Sequence, residues 1–271
     1  MPGTLFVVAT PIGNLEDITL RAIRVLREVA LIAAEDTRRT ANLLARHSIS
    51  TPTTSLHEHN ETRKASVILA RLERGENIAL VSDAGTPVIS DPGARLIGSA
   101  IDAGLRVEPI PGPSAVLTVL MVSGFPVETF TFLGFPPTRS KARTDWFERL
   151  RQLQGTIVFF EAPHRILSTL QELRDVAGDV PVVVGRELTK VHEELVRGPI
   201  SMVLPRVSAL RGEFTVVAKI GQSTDFKKLD TVDQTLTRRQ ALAVLAAESG
   251  LTANQLYAAV EQAKKSVERP T

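Results

Sequence analysis

Four turns rich in glycine and proline hold the residues best placed for chemistry in this 271-residue chain. They are Ala9-Thr10-Pro11-Ile12-Gly13-Asn14-Leu15, Ser82-Asp83-Ala84-Gly85-Thr86-Pro87, Ser90-Asp91-Pro92-Gly93 and Ile110-Pro111-Gly112-Pro113-Ser114-Ala115. Each follows a strand-like segment. Glycine lets backbone amides and carbonyls approach a ligand closely, and proline fixes the local path. In an open α/β sheet, ligands bind beyond the carboxyl ends of the strands, where such turns gather. One turn of this kind reads as a tight turn and nothing more. Four of them predict a ligand site.

Several other chemistries are excluded. There is no G-x-x-x-x-G-K-[ST] and no G-x-G-x-x-G after the first strand, so neither a P-loop nor an ordinary dinucleotide fingerprint is present. Ser114 lies in Gly-Pro-Ser-Ala-Val, which fails the last position of G-x-S-x-G. His192-Glu193 opens like H-E-x-x-H but lacks the second histidine. His57-Glu58-His59 offers two imidazoles without further ligands, so no metal is expected. The absence of cysteine removes disulfides, thiolate metal sites and a thiol nucleophile, and fits a reducing, cytoplasmic setting. No apolar run is long enough to span a membrane, and Met1 to Thr4 reads as no secretory leader. A net charge of +2 permits an anionic partner without requiring one.

The elements that must position these turns alternate. Thr4–Thr10 reads as a buried strand, Ile18–Val29 as a helix, Ala30–Ala34 as a strand and Thr37–Arg46 as a helix. A helix closing before Gly75, a strand at Ile78–Ser82, a helix at Ala94–Ala103 and a strand at Val107–Ile110 continue the series. Ser114 is placed to cap the helix that follows. The second half reads as strand Phe130–Leu133, helix Thr144–Leu153, strand Thr156–Glu161, helix Pro163–Val176 and strand Val180–Gly185. Leu195–Gly198 and Phe214–Ile220 read as antiparallel additions to a mixed sheet. The fold class is therefore α/β. The expected division is 1–112 and 113–224 as two α/β domains, then a polar linker and small two-helix appendage over 225–271.

The same residues carry a family resemblance. V-A-T-P-I-G-N-L-E-D, A-E-D-T-R, H-E-H-N-E, L-V-S-D-A-G-T-P-V-I-S-D-P-G, I-P-G-P-S-A, F-F-E-A-P-H-R-I and G-R-E-L-T-K-V-H-E-E resemble the tetrapyrrole-methylase superfamily over roughly residues 3 to 220. They resemble most its branch that methylates a cytidine ribose 2′-hydroxyl of small-subunit (16S) ribosomal RNA. The resemblance implies two α/β domains with S-adenosyl-L-methionine in the cleft between them, and a homodimer. It places donor contacts at Pro11, at Gly85, Thr86 and Pro87, at Ser114 and Ala115, and at Glu161, Ala162 and Leu188. Ala84-Gly85-Thr86-Pro87 stands where porphyrin-type relatives carry Gly-Gly-Asp-Pro, which favours the RNA branch.

A ribose hydroxyl is a weak nucleophile, so a group that accepts its proton or favours its alkoxide assists methyl transfer. The distinctive motifs offer Asp36, His57, Glu58, Glu187 and Lys190; of these Asp36, Glu187 and Lys190 are the catalytic candidates, with helix capping and surface ion pairing as the competing roles for Asp36 and Lys190. RNA needs cations aimed at phosphate. Arg38 and Arg39, His57, and the loop cations Arg139, Lys141 and Arg143 are the expected contacts, on RNA that is free or within an assembled 30S subunit. Other acceptors stay open: a corrinoid precursor, a modified histidine of a translation factor (diphthine), or no chemistry at all in an RNA-binding assembly module.

Overall fold

The computed structural model describes residues 1–207 and 211–221; the expected C-terminal helices lie outside the described residues. In chain order the first half holds β1 (Thr4–Val8), α1 (Leu20–Glu28), β2 (Leu31–Ala34), α2 (Thr37–Arg46) and β3 (Thr53–Ser55), then α3 (Glu61–Glu73), β4 (Ile78–Val81), α4 (Ala94–Asp102) and β5 (Arg106–Ile110). The five strands form one parallel sheet in the order β3-β2-β4-β1-β5.

Every residue of β2 and β4 is buried, as the central strands of a parallel sheet covered on both faces must be. Alternation divides them. Ile32, Ala34, Ala79 and Val81 pack with Val25 and Leu26 of α1 and Leu43 and Leu44 of α2. Leu31, Ala33, Ile78 and Leu80 pack on the other side with Ile68 and Leu72 of α3 and Leu96 of α4. The carboxyl ends of all five strands therefore share one edge, and the turns follow them.

The second half comprises α5 (Ala115–Met121), β6 (Phe130–Phe132), α6 (Ser140–Gln152), β7 (Gly155–Glu161), α7 (Ile166–Ala177), β8 (Pro181–Arg186), β9 (Glu194–Pro199), α8 (Ile200–Val203) and β10 (Phe214–Ile220). Its sheet runs β6-β7-β10-β8-β9. β6 and β7 are parallel, whereas β10 pairs antiparallel with β7 and β8, and β9 antiparallel with β8, so the expected mixed sheet forms. Phe159, Val182, Val184 and Val216 face α6 and α7, and Val158, Val183 and Val217 face α5. Ile12, from the turn after β1, joins that second cluster.

Two helix starts differ from the sequence reading by three residues or more. α6 begins at Ser140, one turn before the expected Thr144, and the Arg143 N–H already donates to Arg139 O at 2.8 Å. α7 begins at Ile166, because Ala162 to Arg165 form the turn that leaves β7. Met1–Gly221 is one compact unit. Within it the strands of the first sheet end at Ile110 and those of the second open at Phe130.

Candidate active site

The expected turns meet and lock one another. Thr10 N–H donates to Gly85 O at 2.9 Å and Gly85 N–H returns a bond to Thr10 O at 3.0 Å. Gly85 sits at φ 78°, and a Cβ there would lie 3.2 Å from Ile12 Cγ2. Thr86 Oγ1 donates to Pro113 O at 3.2 Å, which ties the second turn to the fourth. A Cβ on Gly112 would lie 3.2 Å from Ala9 Cβ, so the fourth turn also presses on the first. Ser114 caps α5, its hydroxyl accepting from Leu117 N–H.

These turns form one wall of a cavity of about 420 Å3. The opposite wall comes from the second sheet: Phe135, the end of β7 at Phe160 to Pro163, and Gly212 to Thr215 at the start of β10. Such a volume accommodates a small-molecule ligand. Of the residues expected to contact the donor, Gly85, Thr86, Ser114, Ala115, Glu161 and Ala162 line it. Pro11, Pro87 and Leu188 are buried outside its lining.

Glu161 offers this cavity little of its charge. Its carboxylate accepts from Ala162 N–H at 2.7 Å and pairs with Arg165 Nη2 at 2.7 Å, while Thr169 Oγ1 donates to its other oxygen. Arg143 reaches the same carboxylate at 4.0 Å and binds Glu172 through Nε at 2.9 Å. The two arginines then hold the loop before α6, Arg165 donating to Pro136 O and Arg143 to Pro137 O.

Arg143, expected on RNA, has only 14% of its side chain exposed and is committed to two carboxylates. Arg139 and Lys141 are exposed beside it. Arg38 and Arg39 are exposed too, the first paired with Asp36 and the second with Asp83 at 3.5 Å. His57 starts the turn into α3, where its Nε2 lies 3.0 Å from Asn60 Nδ2 and its backbone N–H is bonded to Asn60 Oδ1.

The three catalytic candidates are also placed differently from the expectation. None of Asp36, Glu187 and Lys190 lines the cavity. Asp36 caps α2, and its hydrogen bonds from the Arg38 side chain hold its carboxyl far below the usual carboxylate range. Burial pushes the Glu187 carboxyl up, but the Lys190 ammonium at 2.8 Å and the Glu213 N–H at 2.9 Å outweigh it and hold it low. Lys190 is held protonated by Glu187 and Glu213 against its own burial. This group does something else: Thr189 Oγ1 accepts from Asn14 N–H at 3.0 Å, and Gly13 has no room for a Cβ beside Lys190 and Leu188 O. It fastens the second sheet's loop to the turn after β1.

Five carboxylate residues line the cavity: Glu161 and Glu213, already paired with Arg165 and Lys190, and Glu35, Asp83 and Asp91. Asp83 Oδ1 accepts from Asp36 N–H at 2.8 Å and its partner oxygen faces Arg39. Burial, with Asp83 nearby, raises the Glu35 carboxyl, and its Oε2 is buried without a hydrogen-bond partner. Burial and the Glu35 charge together push Asp91 up to about 6. Sequence reasoning chose Asp36 over its neighbour Glu35. Glu35 directly follows β2 and Asp36 directly precedes α2, and this ordering was the available signal that the first lines the cavity and the second caps.

The family comparison decides what these walls belong to. The tetrapyrrole (corrin/porphyrin) methylase model matches residues 4–203, which hold the first sheet, every strand of the second except β10, and all four glycine–proline turns. The chain belongs to the tetrapyrrole (corrin/porphyrin) methylase family. It is a methyltransferase by that membership. Across 95% of its length this methylase is 41% identical to a Pasteurella multocida protein named ribosomal RNA small subunit methyltransferase I, of which it covers 96%. A Bacillus subtilis protein of the same name is 44% identical over 88% of this chain and 82% of its own. Among solved structures, diphthine synthase aligns with a TM-score of 0.65 at 14% identity, over 83% of this methylase and 92% of that chain. A uroporphyrin-III C-methyltransferase from Thermus thermophilus, complexed with S-adenosyl homocysteine, aligns at 0.58 and 16% identity over 80% and 97%. These two likenesses speak to the fold.

Proposed function

We propose that this methylase uses S-adenosyl-L-methionine to methylate the 2′-hydroxyl of a cytidine ribose in small-subunit (16S) ribosomal RNA. The near full-length identity to relatives of that name carries the reading. The cavity suits such a donor: Ile12, Val116 and Phe160 offer apolar surface to a ring, and Glu35, Asp83 and Asp91 offer carboxylates to a cation. Gly85, Thr86, Ser114, Ala115, Glu161 and Ala162 would hold it, with Pro11, Pro87 and Leu188 supporting them from behind. When bound, the donor supplies a methyl group already activated on a positively charged sulfur. The protein's task is then alignment, exclusion of water and removal of one proton.

Asp91, with Glu35 beside it, is the group suited to take that proton, since it faces the cavity and titrates near 6. The acceptor oxygen bonds carbon as the carbon–sulfur bond breaks, and the hydroxyl proton passes to the carboxylate. A general base must be ionised, so the rate should rise with pH through about 6. In Asp91→Asn we expect kcat at pH 8 to fall about 10²- to 10³-fold, with the gap narrowing below pH 6. Stability moves the opposite way. A carboxyl raised in the folded state adds stability that is full below its unfolded value and lost as pH rises through 6. Asp91→Asn should therefore melt higher than wild type at pH 8. A variant as active as wild type across the pH profile would exclude Asp91 as the base.

For the RNA side, Arg38, Arg39, Arg139 and Lys141 are the exposed cations near the site's loops. Replacing Arg139 and Lys141 by alanine should weaken RNA binding and reduce the slope of log K against log salt by about 1 to 2. Donor affinity should not change. An unaltered slope would place both residues away from RNA.

Exposed Leu117 and Met121 on α5 and Phe130 on the edge strand β6 support a homodimer. Light scattering should give twice the chain mass, and a monomer would contradict this. No helix among the described residues is long and apolar enough to cross a membrane, in keeping with a cytoplasmic protein. The purified chain should pass label from methyl-labelled donor to small-subunit RNA, free or in 30S subunits. Label entering only a corrinoid precursor or a diphthine acceptor would overturn the acceptor assignment.

A further inference from the structure

α4 starts without a cap of its own. Its N-cap position is Gly93, at φ 122°, with no side chain to receive the first amides. A helix start leaves four N–H groups without intrahelical partners. Two of these, from Arg95 and Leu96, donate to Glu61 Oε1 at 3.0 and 3.2 Å. Glu61 opens α3, is 6% exposed and does not line the cavity. A buried carboxylate requires such partners, and its charge faces the positive end of the α4 dipole.

The segment between β4 and α4 carries Asp83, Gly85, Thr86 and Asp91 into the cavity. Its backbone is strained: Val88 lies at φ 76° and Ser90 at φ 68°. A β-branched residue holds such a conformation only where its surroundings over-determine it. Upstream, the Thr10–Gly85 bond pair fixes the segment. Downstream, Gly93 is wedged so closely that a Cβ would lie 2.7 Å from Leu80 Cδ2, and the next residues are those Glu61 holds. We infer that Glu61 is a positioning residue: by anchoring the first turn of α4 it keeps the strained segment in its binding shape and sets donor affinity from outside the cavity. This rests on the cavity being the donor site.

The test compares full-length wild type with Glu61→Gln, Glu61→Asp and Glu61→Ala. Gln keeps the reach and the accepting oxygen, Asp keeps the charge but falls short, and Ala loses both. S-adenosylhomocysteine is titrated well below each melting temperature, and amide exchange over residues 83–93 is followed without ligand. Glu61→Gln should stay within about 3-fold of wild-type affinity. Glu61→Asp and Glu61→Ala should bind about 10-fold or more weakly and exchange faster over 83–93. A role confined to stability would lower melting temperatures and leave the folded protein's affinity alone. Unchanged affinity in Glu61→Asp and Glu61→Ala, or Gln no better than Asp, overturns the inference. If Glu61→Ala does not fold, the contrast between Gln and Asp decides alone. Wild type that binds no S-adenosylhomocysteine would overturn the donor reading, and the exchange rates would then decide the anchoring.

Discussion

Gly85→Val should leave a folded chain that binds S-adenosylmethionine at least about 100-fold more weakly, a loss of roughly 2.7 kcal/mol. Gly85 stands at φ 78°, where a β-branched side chain is strained. Its Cβ would press on Ile12, itself part of the cavity wall and of the cluster beneath α5. The strain amounts to about 1–3 kcal/mol and is relieved by breaking the paired bonds between Thr10 and Gly85. Both turns would then shift. Most of the core lies away from this edge, so the melting transition should survive at a lower temperature. Calorimetry reads the donor affinity, and an unchanged value would remove the turn from the donor site. Gly112→Ala is the milder companion, since its Cβ meets only Ala9 at 3.2 Å.

Glu161→Ala should destabilise the fold by about 3–5 kcal/mol. The Glu161 side chain is fully buried, and removing it leaves Arg165, 17% exposed, without its carboxylate and Arg143 with one fewer. Thr169, buried in α7, loses its acceptor as well. Those arginines hold the carbonyls of Pro136 and Pro137, so the loop leading to Arg139 and Lys141 should loosen with them. Urea unfolding measures the loss. A change below about 1 kcal/mol would show that the buried network contributes little net stability. RNA affinity measured at low temperature should fall too, although Glu161 touches no RNA in our account.

Much of this molecule was legible in the sequence because the relevant signals are local. The apolar runs at Leu31–Ala34 and Ile78–Val81, punctuated by glycine and proline, spell buried parallel strands, and they form the centre of the first sheet. The antiparallel ends of the second sheet were equally readable. The turns were recognisable as a site because glycine and proline mark where backbone must bend at strand ends. What escaped depends on contacts between distant segments. Arg143 looks like a loop cation until Glu172, 29 residues on, claims it. Glu187 and Lys190 read as free polar groups until Glu213, more than 20 residues on, bonds to both. Nothing local marks Glu61, whose partners are the Arg95 and Leu96 amides 34 and 35 residues on. β3 and α8, three and four residues long, carry too little periodicity to be seen.

The most direct measurement is the chemical position of the transferred methyl group. A 2′-O-methyl removes the hydroxyl that attacks the neighbouring phosphodiester in alkali, so the linkage after a methylated ribose resists alkaline cleavage. Small-subunit ribosomal RNA, free and within assembled 30S subunits, is incubated with this methylase and methyl-labelled S-adenosylmethionine, then hydrolysed in alkali. The account predicts label in an alkali-resistant dinucleotide whose 5′ residue is cytidine, present with wild type and lost in step with donor binding in Gly85→Val. Label released as a single methylated nucleotide would mean a base is the acceptor, and no label in either RNA form would contradict the ribosomal assignment itself.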